Sequence, residues 1–267
     1  LLQFLFQIPF MKKAGLLVKP QWAWNDEGVK KVRTLMLPAL FGVSVTQINL
    51  LLNQVIASFL VTGSITWLYY SDRLIEFPLG IFGIAISTVV LPTLSKIAKQ
   101  KALNETARQA QFQTTMDWGV RMVLLLGIPA MIGIATLAQP MIMTLFMRGK
   151  FGLSDVIASS HSLWIMCLGL NSYMLISILA NGFYANQNTK TPVKIGLIAT
   201  ACNMCFGLLA IPFGYLGLAM ASALSAAVNA SLLYRQLSKQ GIYHISRKTI
   251  FFILKVAIAA LVMGGLD

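Results

Sequence analysis

Long apolar blocks separated by short polar connections set the organisation of this chain. After a first block at 1–10, seven more run near 34–61, 67–95, 119–147, 156–184, 193–213, 215–234 and 249–265. A helix that crosses a bilayer needs about 20 mostly apolar residues, and each of the seven is close to that length or beyond it. The pattern predicts a polytopic bundle of α-helices. It opens with the end of a transmembrane helix at 1–10 and a cytoplasmic interfacial loop at 11–33. Residues 34–234 then form six spans, and 249–265 an additional transmembrane helix. Pro38, Pro78 and Pro129 fall inside predicted spans, where each removes a backbone donor and is expected to kink its helix.

Positive charge orders these blocks across the membrane. Lys12, Lys13, Lys19, Lys30, Lys31 and Arg33 precede the first full span, whereas the connection around 61–65 carries no positive residue. Lys96, Lys99, Lys101 and Arg108 follow the second span, and Lys190 and Lys194 flank the turn after the fourth. Arg235, Lys239, Arg247 and Lys248 follow the sixth. The opposite side holds only Arg148 and Lys150. Cytoplasmic connections are the Lys- and Arg-rich ones, so the first set is expected inside. Trp22 and Trp24, followed by Asp26, Glu27, Lys30 and Lys31, suit an interfacial loop as well as an ordinary connector.

Composition supports a membrane protein and removes other classes. Of 267 residues, 57% are hydrophobic and only 11% charged, with a mean hydropathy of +0.74; soluble domains carry roughly 25% charged residues. The net charge of +13 lies in the connections, so nucleic-acid binding is not expected. Cys167, Cys202 and Cys205 lie in apolar helices without a second Cys pair or a His cluster, and no metal or other cofactor is expected. There is no P-loop or nucleophile motif, which excludes the common enzyme classes. The chain opens on Leu1 within an apolar block and stops at Asp267 just after another, so both ends read as cut from a longer protein.

Polar residues inside the spans are the candidate site. Asp72, Arg73 and Glu76 are the only charges between Trp67 and Ser95. A charge at the bilayer centre costs on the order of 3 kcal/mol on insertion scales, so such groups face a polar cavity or a partner. Helical spacing of three and four residues predicts that all three share one side. Arg73 suits bidentate recognition of phosphate, with Asp72 and Glu76 orienting its guanidinium or completing a gating pair. A self-neutralising pair that only holds helices together is the alternative. Thr66, seven residues before Arg73, approaches the same face.

Gln47, Asn49, Asn53 and Gln54 crowd four amides into the first full span. They are read as cavity lining in preference to helix–helix hydrogen bonding. Asn171, Asn181, Asn203 and Asn229 fit a small cation site or, preferably, interhelical bonding. Lys255 lies close enough to the cytoplasmic end of the last span to reach a lipid headgroup. Asp117 and Arg121, one helical turn apart, read as a surface pair at a helix start. His161 sits near an interface and His244 in a connection, neither with partners that suggest catalysis.

Three stretches carry a resemblance. Trp67-Leu-Tyr-Tyr-Ser-Asp-Arg-Leu-Ile-Glu-Phe-Pro-Leu-Gly-Ile-Phe-Gly-Ile-Ala85, with Leu91-Pro-Thr-Leu-Ser95 after it, resembles the signature of the MurJ (MviN) lipid II flippases. Gly182-Phe-Tyr-Ala-Asn-Gln-Asn-Thr-Lys-Thr-Pro-Val-Lys-Ile195 and Asn229-Ala-Ser-Leu-Leu-Tyr-Arg-Gln-Leu237 match in the family's order. The resemblance implies the C-terminal lobe of a multidrug/oligosaccharidyl-lipid/polysaccharide exporter fold in a bacterial inner membrane. The N-terminal lobe of the same protein would be missing. Its implied substrate is lipid II, the undecaprenyl-diphosphate disaccharide-pentapeptide, moved from the cytoplasmic to the periplasmic leaflet by alternating access.

By motif, Arg73 matches the family's cavity arginine, Asp72 and Glu76 the acids beside it, and Thr66 a position where some members have serine. The helix at 249–265, with Lys255, would belong to a groove for the lipid tail and contact membrane lipids. Some members carry acidic sodium ligands in this lobe. Here Asn203 stands without an acid on the corresponding helices, so membrane potential is the expected driving force. Peptidoglycan synthesis and division machinery are implied partners. The competing expectations are another exporter of the superfamily, either an O-antigen-type flippase or a drug antiporter, and a non-transporting scaffold of the cell-wall machinery.

Overall fold

The computed structural model describes residues 2–13, 15, 26–100 and 104–265. Two compact units divide the chain, 1–37 and 38–267. The first holds α1 (Leu2–Lys13) and the opening turns of α2 (Glu27–Ser58). Residues 14 and 16–25 of the expected interfacial loop, with Trp22 and Trp24, lie outside the described residues. The second unit is built from the rest of α2 and eight further α-helices. These are α3 (Ser64–Pro78), α4 (Ala85–Lys99), α5 (Glu105–Thr136), α6 (Ala138–Phe146), α7 (Leu153–Ala185), α8 (Lys190–Leu209), α9 (Gly214–Lys239) and α10 (Arg247–Gly264). Among the described residues, five helical segments are long and apolar enough to cross a membrane: 64–99, 105–136, 153–185, 190–209 and 211–239.

The central element is α7, which packs against α3, α4, α5, α6 and α9. Its buried positions include Leu163, Leu170, Met174 and Ile178, all fully enclosed, and small residues let neighbours approach. At Gly169, an added side-chain carbon would lie 3.0 Å from Ala223 Cα of α9, which is the close packing that small residues permit between membrane helices. Asp155 Oδ2 accepts from the Gly152 amide at 2.9 Å and fixes the start of α7, a position where negative charge also complements the helix dipole. Peripheral helices carry large outward side chains such as Leu209 on α8 and Phe251 on α10. In a bilayer such side chains meet lipid, so their exposure carries no hydrophobic cost.

Two expectations change in detail. Helix runs through Pro38, Pro78 and Pro129, and a turn of π-helix follows only Pro78, over Leu79–Ile84, joining α3 to α4. Proline lacks the donor for its preceding turn, and π geometry is a common way to absorb that loss inside a helix. The apolar run at 119–147 is divided between α5 and α6 at Leu137. Pro140 cannot donate to the Thr136 carbonyl, and the Trp164 indole donates to the Ala135 carbonyl at 2.7 Å, taking an acceptor that a continuous helix would use. In the other direction α5 extends to Glu105, beyond the apolar run, because Phe112 and Met116 are buried.

Asp117 and Arg121 also differ from the surface pair expected of them. They lie within α5, not at its start, and bind the segment before α10 and its first turn. Tyr243 donates to Asp117 Oδ1 at 2.7 Å, and Arg121 Nε donates to Thr249 Oγ1 at 2.8 Å. Tyr243 is wholly buried. The sequence carried no direct signal for this contact, since its partners are more than a hundred residues apart.

Candidate functional site

The rotation of α3 decides which of its polar side chains face where. Trp67 donates its indole N–H to Asp155 Oδ1 at 2.8 Å, and Ser71 donates to the Ser159 carbonyl of α7 at 2.8 Å. Ser71, Leu74, Ile75 and Pro78 are buried by that anchoring. Asp72 and Glu76 flank the anchored face, and Arg73 points away from it.

Glu76 links the other two charges, since it pairs with Arg73 and lines the same cavity as Asp72. Arg73 Nη1 lies 2.7 Å from Glu76 Oε2, with the two side chains 54% and 52% exposed. The guanidinium also sits 4.9 Å from the centroid of the Tyr69 ring, within the range of a cation–π contact. Glu76 and Tyr69, which hold the arginine, are themselves cavity-lining residues. Thr66 is exposed two turns earlier on α3. Asp72 lines a cavity in the lobe and makes no hydrogen bond or ion pair within the described residues.

That cavity, of about 800 Å³, lies between α2, α3, α7, α8 and α9. Asn53 and Gln54 line it from α2, and Asp72, Glu76 and Tyr69 from α3. Tyr173 and Tyr184 line it from α7, Thr200 and Asn203 from α8, and Ser222 and Asn229 from α9. Tyr173 donates to the Ser222 carbonyl at 3.2 Å, and Ser225 to the Ala199 carbonyl at 2.7 Å, so side chains tie the walls together. Asn203 is 3% exposed, and its Oδ1 has no partner among the described residues.

Not every expected lining residue reaches the cavity. Gln47 is exposed, two turns before Gln54 and beyond Leu50, where the α2 wall begins. The side chain of Asn49 lies outside the described residues. Of the four single asparagines, Asn203 and Asn229 line the cavity. Asn181 instead donates to Ser87 Oγ at 2.7 Å and bridges α7 to α4, and Asn171 Nδ2 contacts Met131 Sδ at 3.3 Å. Lys255 is exposed on α10, its Nζ 4.8 Å from the Phe251 ring centroid. Among the described residues no group of three His, Cys, Asp or Glu could hold a metal. The cavity tyrosines were missed by sequence reasoning. Their signal was a polar-tipped aromatic in the middle of an apolar span, as at Tyr173.

The fold of this helical lobe recurs in solved transporters of the multidrug/oligosaccharidyl-lipid/polysaccharide exporter superfamily. A multidrug-resistance MATE transporter of that superfamily, solved outward-facing, aligns with a TM-score of 0.62 over 86% of this chain and 51% of its own, at 16% identity. The chain belongs to the family described as lipid II flippase MurJ, whose model matches residues 1–266. It is 67% identical over 265 residues to the probable lipid II flippase MurJ of Haemophilus influenzae, covering 99% of this chain and 52% of that protein. It is 57% identical over 266 residues to its Vibrio cholerae counterpart, covering 99% and 50%. A solved lipid II flippase MurJ in an inward closed conformation aligns with a TM-score of 0.74 at 25% identity, over 97% of this chain and 52% of its own. The chain thus spans about half the length of the curated relatives it matches. It is a multi-pass protein of the bacterial inner membrane.

Proposed function

We propose that this chain is the C-terminal lobe of a lipid II flippase, in which residues 34–234 form the six-helix lobe and the helix at 249–265 belongs to a lipid-tail groove. A second, N-terminal lobe completes the transport path, and the two carry lipid-linked peptidoglycan precursor from the cytoplasmic to the periplasmic leaflet by alternating access. Lys255 contacts lipid at the groove helix, and the peptidoglycan machinery supplies and consumes the substrate.

Arg73 carries this reading. It is a permanently charged, planar donor, held by Glu76 at 2.7 Å and by Tyr69. A diphosphate needs such a partner, and Arg offers paired N–H groups matched to phosphate oxygens. Glu76 orients the guanidinium in the unloaded state and releases it when phosphate arrives. Thr66, on the same face, offers a hydroxyl two turns away. Asn53 and Gln54 keep the inner cavity polar as the helices move.

The experiment is lipid-linked precursor accumulation in cells whose only copy of the whole protein carries Arg73→Ala, with membrane levels of the variant measured in parallel. Precursor should build up at normal protein level. Unchanged growth and precursor pools would overturn the reading and leave the Arg73–Glu76 pair a structural contact.

A further inference from the structure

Arg148 and Lys150 lie in the connection between α6 and α7, where Lys and Arg are least expected. The starts of α3, α7 and α9 meet at this end of the lobe: Trp67 binds Asp155 and packs edge-on against Tyr215, with ring centroids 4.9 Å apart. The connections 59–63 and 210–213 at the same end hold no Lys or Arg. Positive residues are normally kept on the cytoplasmic side, so these two work against the orientation of the chain. Both are exposed, and neither makes an ion pair among the described residues. The carboxylate nearest in sequence, Asp155, is already committed, one oxygen to the Trp67 indole and the other to the Gly152 amide.

The turn that carries them is pinned at both ends. Phe146 before it stacks on Tyr70 of α3 with ring centroids 4.3 Å apart, and Phe151 after it meets the same ring edge-on at 5.2 Å. Gly149 takes a φ of 62°, and the Phe151 amide donates to the Arg148 carbonyl at 3.2 Å. A loop held this way loses little freedom when an anion binds. Tyr70 also connects the turn to Arg73, which follows three residues later, about 4.5 Å along the helix axis. Tyr69, whose ring lies 5.8 Å from that of Tyr70, holds the Arg73 guanidinium at 4.9 Å. The turn and Arg73 are thus mounted on one stretch of α3. Leu145, Met147 and Leu153 are exposed beside the turn. In a bilayer they meet hydrocarbon, while the Lys and Arg heads reach the headgroup level. An anion bound there is one carried on a lipid, not on a soluble peptide.

We propose that the turn at Arg148 and Lys150 is a second diphosphate site, on the periplasmic side, which takes the headgroup of the transported lipid as it leaves Arg73. Arg148 offers paired N–H groups to phosphate oxygens, and Lys150 adds a point charge for the second phosphate. No bond is made or broken; the diphosphate exchanges one set of cations for another. Arg73 lies deeper in the apolar run and the turn nearer water, so the transfer leads toward the less costly surroundings for charge. The identity of the ligand rests on the proposed function, whereas the site itself rests on the turn.

The test is amine footprinting of Lys150, read by mass spectrometry, on the whole protein in phosphatidylcholine nanodiscs with a short-chain prenyl diphosphate as probe. The probe should slow modification of Lys150 several-fold. Protection should be retained in Arg148→Lys, lost in Arg148→Gln and retained in Arg73→Ala. That last variant separates the two claims: if cells carrying it grow normally while Lys150 stays protected, the reading of Arg73 fails and the diphosphate site stands. In transport vesicles, Arg148→Gln combined with Lys150→Gln should lower the rate at saturating substrate several-fold and leave the half-saturating concentration unchanged, because capture occurs at Arg73. No protection by the probe, equal protection in Arg148→Gln, or unchanged transport by the double variant would each overturn the proposal. So would equal protection from phosphatidylglycerol nanodiscs without the probe, which would make the turn an ordinary headgroup contact.

Discussion

Tyr243→Phe removes a single oxygen atom from the contact between α5 and the segment leading into α10. The phenol is fully buried and donates to Asp117 Oδ1 at 2.7 Å, and the Asp117 side chain is 16% exposed. The other carboxylate oxygen lies 3.8 Å from Arg121 Nη2, too far to replace the lost bond. Phe keeps the ring and its edge contact with Tyr234, so no cavity of consequence opens. Hydrogen bonds to charged groups contribute about 1.5–3 kcal/mol. Asp117 retains some solvent and its neighbour Arg121, which places the expected loss near 2 kcal/mol, roughly a 30-fold shift in the folding equilibrium.

The assay is equilibrium unfolding in mixed micelles, with hydrogen exchange along α10 to locate the loosening. Burial first, and then the bond to Asp117, push the Tyr243 phenol above its ordinary value. Because the folded form holds this proton more tightly, its stabilisation is fully present below the unfolded-state value near 10 and is lost as pH rises beyond it. The Phe variant has no such loss, so the gap between the two proteins should narrow above about pH 10. A loss below about 0.5 kcal/mol, the scatter of ordinary surface substitutions, or a gap that widens at high pH refutes the argument.

Other expectations are more local. Asp155→Asn weakens an acceptor shared by the Trp67 indole and the Gly152 amide, 2.8 and 2.9 Å away; it should cost about 1–2 kcal/mol and change Trp67 fluorescence. Unaltered stability and emission would mean that α3 is not anchored there. Gly169→Val drives side-chain atoms toward Ala223 Cα, 3.0 Å from the first added carbon. It should destabilise the α7–α9 pair by about 1–3 kcal/mol, read by thermal unfolding, and no change would indicate looser packing. Glu76→Gln frees the half-exposed Arg73 guanidinium, so stability should hardly change. Transport by the whole protein should fall; a fully active variant would show that Glu76 does not orient Arg73.

Apolar run length located the helices because hydrocarbon demands continuous backbone satisfaction over a fixed thickness, and residues such as Leu163, Leu170 and Ile178 on α7 satisfy that demand by type alone. The charges of α3 were legible for the same reason, since Asp72, Arg73 and Glu76 interrupt a run that contains no others. Their orientation was not. Helical spacing puts the three charges on one side of α3, and only the bonds from Trp67 to Asp155 and from Ser71 to Ser159 set which way that side turns in the lobe. The inner cavity was equally hidden. Asn53, Tyr173, Asn203 and Asn229 come from four helices, and their meeting depends on long-range packing around α7. Asp117 and Tyr243 show the limit most plainly. Asp117 read as half of a surface pair, and only the tertiary structure joins it to the buried Tyr243.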